Sequence, residues 1–106
     1  MGLYDAKSAE EISFILFKQI RPEVRHFAHQ MEQKFELHKE RGDPFRYSPK
    51  AFLYKRLFEE LSEFFEAIEG GKPASAVLKE GADVSNVILM IGMNYLKHRF
   101  QPGGWR

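Results

Sequence analysis

Five acidic side chains carry the chemistry this sequence offers. Glu59, Glu60 and Glu63 stand within one helical turn of each other, and Glu80 and Asp83 repeat the three-residue step further on. On a helix, residues three apart lie on the same flank. A wheel at about 100° per residue sets the apolar stripe of the first segment as Leu53, Leu57, Leu61, Phe64 and Ile68. Glu60 falls at its edge, with Glu63 about 60° further round. The second segment has Val77, Val84, Ile88, Ile91 and Tyr95 as its stripe, Glu80 at the edge and Asp83 about 60° beyond.

If the two stripes face each other, Glu60, Glu63, Glu80 and Asp83 converge at the rim of a core. Like charges repel there, and partial burial penalises the ionised form. Protonation relieves this; so does a divalent cation. Carboxylates spaced i and i+3 on two facing helices suit a hard, oxygen-ligated ion such as Mg²⁺ or Mn²⁺.

Both segments have helix signals at their ends. Ser48-Pro49 reads as a cap followed by a first-turn proline, and Gly70-Gly71 as the stop. Lys72-Pro73 restarts the chain into a helix over roughly 74–98. Upstream, Ser8 is a cap with Glu11 three residues on. Ile12, Ile15, Leu16 and Ile20 follow at helical spacing, and Arg21-Pro22 breaks that helix and starts another. Val24, Phe27, Ala28, Met31, Phe35 and His38 form its stripe, closed by Gly42. No strand-period segment or repeat occurs. The expected fold is all-α, an antiparallel helical bundle with short loops, a single domain over 1–98 and a loose tail over 99–106.

Composition narrows the class. The chain has 106 residues and no cysteine, which excludes disulfides, thiolate metal sites and a cysteine nucleophile. No apolar run approaches the roughly 20 residues of a membrane span, and Met1–Lys7 lacks the apolar stretch of a signal peptide. A cytoplasmic protein, without membrane or nucleic-acid polymer as partner, is the expectation. The net charge of +1 hides a division. Residues 39–58 sum to +4 and residues 59–83 to −5. Such neighbouring blocks are either two solvated faces or a metal site beside a phosphate site.

The order Glu59-Glu60-x-x-Glu63 followed by Glu80-x-x-Asp83, with the Gly-Gly-Lys-Pro connector between them, resembles the MazG-like nucleoside triphosphate pyrophosphohydrolases of the all-α NTP pyrophosphatase superfamily. The likeness covers about residues 50–95. It implies Mg²⁺-dependent hydrolysis of a nucleoside triphosphate to the monophosphate and pyrophosphate. By motif position it implies that Glu60, Glu63, Glu80 and Asp83 hold the metal, and that Glu59 adds a ligand or orients water. Asn86 is similar to a polar position in many relatives and is a candidate substrate contact. The catalytic set is then Glu59, Glu60 and Glu63.

A triphosphate needs cations, and Lys55 and Arg56 precede the acidic motif, with Lys50, Lys79, Lys97 and Arg99 further candidates. Lys55 lies on roughly the opposite side of its helix from Glu60, so it would act across a subunit boundary. Phe27, Phe35, His38, Phe45, Tyr47 and Tyr54 are possible walls for a base. His26 and His29 read as solvent-facing.

Two other readings stand. Phosphoribosyl-ATP pyrophosphatases are similar, but they tend to continue their second motif with Ala-Asp-Leu-x-Tyr-His, whereas this chain has Ala82-Asp83-Val84-Ser85-Asn86-Val87. A non-catalytic helical interaction protein is the alternative of another class; five retained acids count against it. Ten Phe in 106 residues exceed what one small core encloses. Phe58 and Phe65 point away from Glu60, so a homodimer or homotetramer is expected to complete the bundle.

Overall fold

A computed structural model describes residues 8–42 and 48–98. These form four α-helices: α1 (Ala9–Gln19), α2 (Pro22–Leu37), α3 (Lys50–Glu69) and α4 (Ala74–His98). There is no strand among the described residues. The all-α expectation therefore holds. Phe45, Tyr47 and Arg99, and the expected tail over 99–106, lie outside the described residues.

The helix ends follow local chemistry. The Glu11 amide donates to Ser8 Oγ at 3.1 Å, as the capping spacing requires. Pro22 opens α2, where its missing N–H costs nothing. Helix α2 stops at Leu37, earlier than Gly42 suggested. A single 3-10 turn, Lys39–Arg41, follows, and Gly42 then takes a positive φ of 97°. Helix α3 starts at Lys50 with Pro49 as its cap residue, one residue later than a Ser48 cap would give. At its other end the Lys72 amide reaches the Ala67 carbonyl at 3.0 Å and the Gly71 amide reaches the Ile68 carbonyl at 3.1 Å. That pair of bonds needs a left-handed residue between them, and Gly71 supplies it with φ 65°. The resulting tight turn brings α4 back onto α3.

Helix α4 is the centre of the fold, packed against both α3 and α2. Where the three meet, a Cβ on Gly81 would lie 3.4 Å from the Phe64 ring and 3.7 Å from the Phe27 ring. Helix α1 joins α2 through an edge-to-face contact of Phe17 with His29, centroids 5.7 Å apart. The buried apolar set is small: Leu53, Ala67, Ala82, Val84 and Val87.

The buried arc of α4 is rotated from the stripe read off its apolar residues. Ile88 and Tyr95 are exposed, whereas Val87, Asn86 and Asn94 are buried. Packing on two helices rather than one sets this rotation. Glu80 and Asp83 consequently sit within the packed arc, not merely along its border. Phe65 and Ile68 of α3 are likewise about half exposed.

Much apolar surface is left uncovered. Phe14, Phe52, Phe58, Phe65, Ile88, Tyr95 and Leu96 are all more than half exposed.

Candidate metal centre

Helices α3 and α4 bring Glu60, Glu63 and Glu80 together. Each offers a carboxylate oxygen, and the three oxygens lie within 4.8 Å of one another. Glu60 reaches well inward, with its side chain 13% exposed. Glu63, on the outer flank of the same helix, remains exposed. This is the order the helical wheel gives.

The group is under electrostatic load. Burial raises the Glu60 carboxyl, and the neighbouring charges of Glu63 and Asp83 raise it further, against a lowering by Arg56; a hydrogen bond with Glu63 adds to the rise. Its pKa reaches about 7. Glu60 Oε2 and Glu80 Oε2 are buried without a hydrogen-bond partner. Acceptor-only oxygens left this way are costly, and an oxygen-seeking cation removes the cost. The donor set thus fits a hard divalent ion; nothing in it selects Mg²⁺ over its neighbours.

Asp83 lies close enough to act on Glu60, but its Oδ2 is held by Lys34 Nζ of α2 at 3.2 Å. Arg56 makes the matching contact on α3, its guanidinium 3.8 Å from Glu60 Oε1. Glu59 is outside the group. It is exposed on the far side of α3, with Lys55 Nζ at 4.0 Å. Lys55 itself is 78% exposed, as the wheel position predicts. His26 and His29 are exposed.

A pocket of about 280 Å³ adjoins the acids. Asp83, Lys34 and Arg56 line it on the charged side. Phe35, Phe52, Val87 and Met90 form its apolar walls, and His38 and Asn86 also face it. The Asn86 amide nitrogen donates to the Met31 carbonyl at 3.0 Å, which fixes the side chain between α4 and α2. Its Oδ1 is buried and unpartnered. One Nδ2 hydrogen is used there, and the unpartnered Oδ1 leaves Asn86 an acceptor.

Lys34 is the site residue that sequence reading missed. Nothing local marks it, because its partner is on another helix. Tyr54 does not line the pocket and is about half exposed. No helix among the described residues is long and apolar enough to cross a membrane. No family model matches the chain, and no curated protein or solved structure matches it.

Proposed function

We propose that this protein is a nucleoside triphosphate pyrophosphohydrolase dependent on a divalent metal, Mg²⁺ or Mn²⁺, of the MazG-like kind. The observation that carries this is an adjacency: Glu60, Glu63 and Glu80 cluster, and Arg56, 3.8 Å from Glu60, lines an aromatic-walled pocket together with Lys34 and Asp83. A pocket near 300 Å³ is at the small end for ligand sites. It suits the base and sugar of a nucleotide, with the triphosphate outside it toward the acids.

Glu60, Glu63 and Glu80 would hold the metal, and Asp83 would join them once free of Lys34. When bound, the ion supplies charge neutralisation for the triphosphate and acidifies a bound water. Arg56, already at the rim, holds a phosphate oxygen. Phe35 and Phe52 grip the base, and Asn86 Oδ1 accepts a hydrogen bond from the substrate. Glu63, exposed and next to the high-pKa Glu60, orients the attacking water and takes up its proton. Glu59 and Lys55 face away from this pocket, so any part they play is toward a neighbouring subunit.

The uncovered apolar surface is assigned to a second copy of the chain in an antiparallel bundle shared between protomers.

The test is a panel of (d)NTPs with Mg²⁺, reading monophosphate and pyrophosphate. At least one substrate should turn over. Glu60→Gln and Asp83→Asn should each abolish turnover with the helical fold retained. Full activity in both variants would remove the assigned site. Metal binding with no turnover of any nucleotide would favour a non-catalytic interaction protein.

A further inference from the structure

Lys34 is far from the acidic motif in sequence and lies on a different helix. Yet it holds Asp83 at 3.2 Å, with both side chains about three-quarters covered. It also lines the pocket. Two features set this pair apart from an isolated surface contact. Asn86, 5% exposed, lines the same pocket with an unpartnered acceptor. Glu60 Oε2 and Glu80 Oε2 are buried without partners next to it. A largely covered lysine that faces acids on one side and an open pocket on the other has two possible anionic partners, and it can serve only one at a time.

We infer that Lys34 is an exchangeable counter-ion: it neutralises Asp83 while the acidic group is empty, and it moves to the substrate's phosphates when a divalent cation takes Asp83. This rests on the pyrophosphohydrolase reading and adds a substrate-binding residue to it. The driving force is Coulombic. A divalent ion and an ammonium both within contact distance of one carboxylate repel each other strongly in a partly desolvated site. The lysine stem is long and flexible, and its head is a point charge that needs no fixed geometry. A triphosphate brought in alongside the metal offers the displaced ammonium a new partner at the pocket mouth. Arg56 is paired with Glu60 in the same manner at 3.8 Å, so each of these two inner acids carries its own cation.

Loss of the Lys34 charge should have effects of opposite sign on two ligands. Lys34→Met keeps most of the apolar stem and removes the charge. Without nucleotide, calorimetric titration with Mn²⁺ should show about tenfold tighter binding, because a competitor for Asp83 is gone. In saturating Mg²⁺, affinity for an α,β-methylene triphosphate analogue should fall about tenfold, because a phosphate partner is gone. Lys34→Arg should restore the analogue affinity. A lysine that only braced α2 on α4 would weaken both ligands or neither.

Should Lys34→Met fail to fold, the wild-type ammonium can be followed by ¹⁵N NMR. Its signal should move on adding Mg²⁺ and again on adding the analogue; a signal indifferent to both overturns the inference. Wild-type protein that binds neither Mn²⁺ nor the analogue overturns the hydrolase reading and this inference with it. Wild-type protein that binds both, while Lys34→Met loses Mn²⁺ affinity or keeps full analogue affinity, overturns the Lys34 assignment alone.

Discussion

Replacing Glu60 by glutamine should make the metal-free protein more stable at neutral pH, and the gain should vanish in acid. Glu60 has its pKa raised from 4.5 to about 7, first by burial and then by Glu63 and Asp83. A carboxyl raised in the folded state binds its proton more tightly there than in the unfolded chain. Stability is therefore lost as pH rises from about 4.5 to about 7, and is level on either side. A shift of this size is worth about 3 kcal/mol once both states are ionised, at 1.36 kcal/mol per unit. Between pH 5 and pH 8 the wild type should lose about 2.5 kcal/mol from this group. The Glu60→Gln variant loses none of it, since the amide side chain is neutral throughout and can still donate to Glu63. The assay is urea unfolding and thermal melting of both proteins in EDTA at pH 5 and pH 8. At pH 8 the variant's melting point should stand on the order of 10 °C higher. A stability difference that is the same at both pH values, or that shrinks as pH rises, refutes the account of Glu60 as a buried, charge-crowded acid. Adding Mg²⁺ or Mn²⁺ should reverse the ranking, because the ion stabilises only a protein that still has its ligands.

Three further outcomes follow from the same geometry. Metal affinity should fall about tenfold per pH unit below pH 7, since Glu60 must give up one proton to bind; calorimetry across pH 5.5–8 reads this directly. Asn86→Ala should cost about 1–2 kcal/mol of stability through the lost bond to the Met31 carbonyl, and should raise KM for the nucleotide more than it lowers kcat. Gly92 lies mid-helix in α4, with nothing of its own chain within 4 Å of an added Cβ. Gly92→Ala should therefore raise the stability of the isolated chain by up to about 1 kcal/mol, while weakening self-association if copies pack across that face. Sedimentation and thermal melts of the same sample separate the two effects.

The helix ends were largely legible in the sequence because they obey short-range rules. Ser8 with Glu11, Pro22 at a first turn and Gly71 in a left-handed turn each satisfy backbone groups within a few residues. The meeting of Glu60 and Glu63 with Glu80 was legible for a related reason: two i,i+3 steps on helices joined by a tight turn leave few ways to pack. The rotation of α4 was not. Apolar residues surround that helix, from Leu78 and Val84 through Ile88, Leu89, Ile91, Met93 and Leu96, so no stripe singles out the buried side. Its buried arc is chosen by α2 as well as α3, and the bond from Asn86 to Met31 spans 55 residues. The Lys34–Asp83 pair was hidden in the same way. A charge on an amphipathic helix looks like ordinary solvated surface until the partner helix is in place.

The separation of roles along α3 explains why adjacent glutamates in one motif need not share a task. Glu60 faces α4 with its side chain 13% exposed, whereas Glu59, one step of about 100° away, is 57% exposed and faces Lys55. Glu60, pressed into the packed arc, lies among other carboxylates; Glu59, on the outside, has Lys55 beside it. The adjacent cations divide along the same line, Arg56 at the pocket and Lys55 in solvent. Phe58 and Phe65 share that outer surface, both more than half exposed. Charged and aromatic groups interleaved on one uncovered face are what a partner protomer can bury in part and pair in part. On the proposed reading Glu59 would then bear on assembly and Glu60 on the metal. Glu59→Gln should accordingly shift the dimer dissociation constant with metal affinity unchanged, and Glu60→Gln should do the reverse. Sedimentation and Mn²⁺ calorimetry on both variants would read this, and a fall in metal affinity in Glu59→Gln matching that in Glu60→Gln would abolish the distinction.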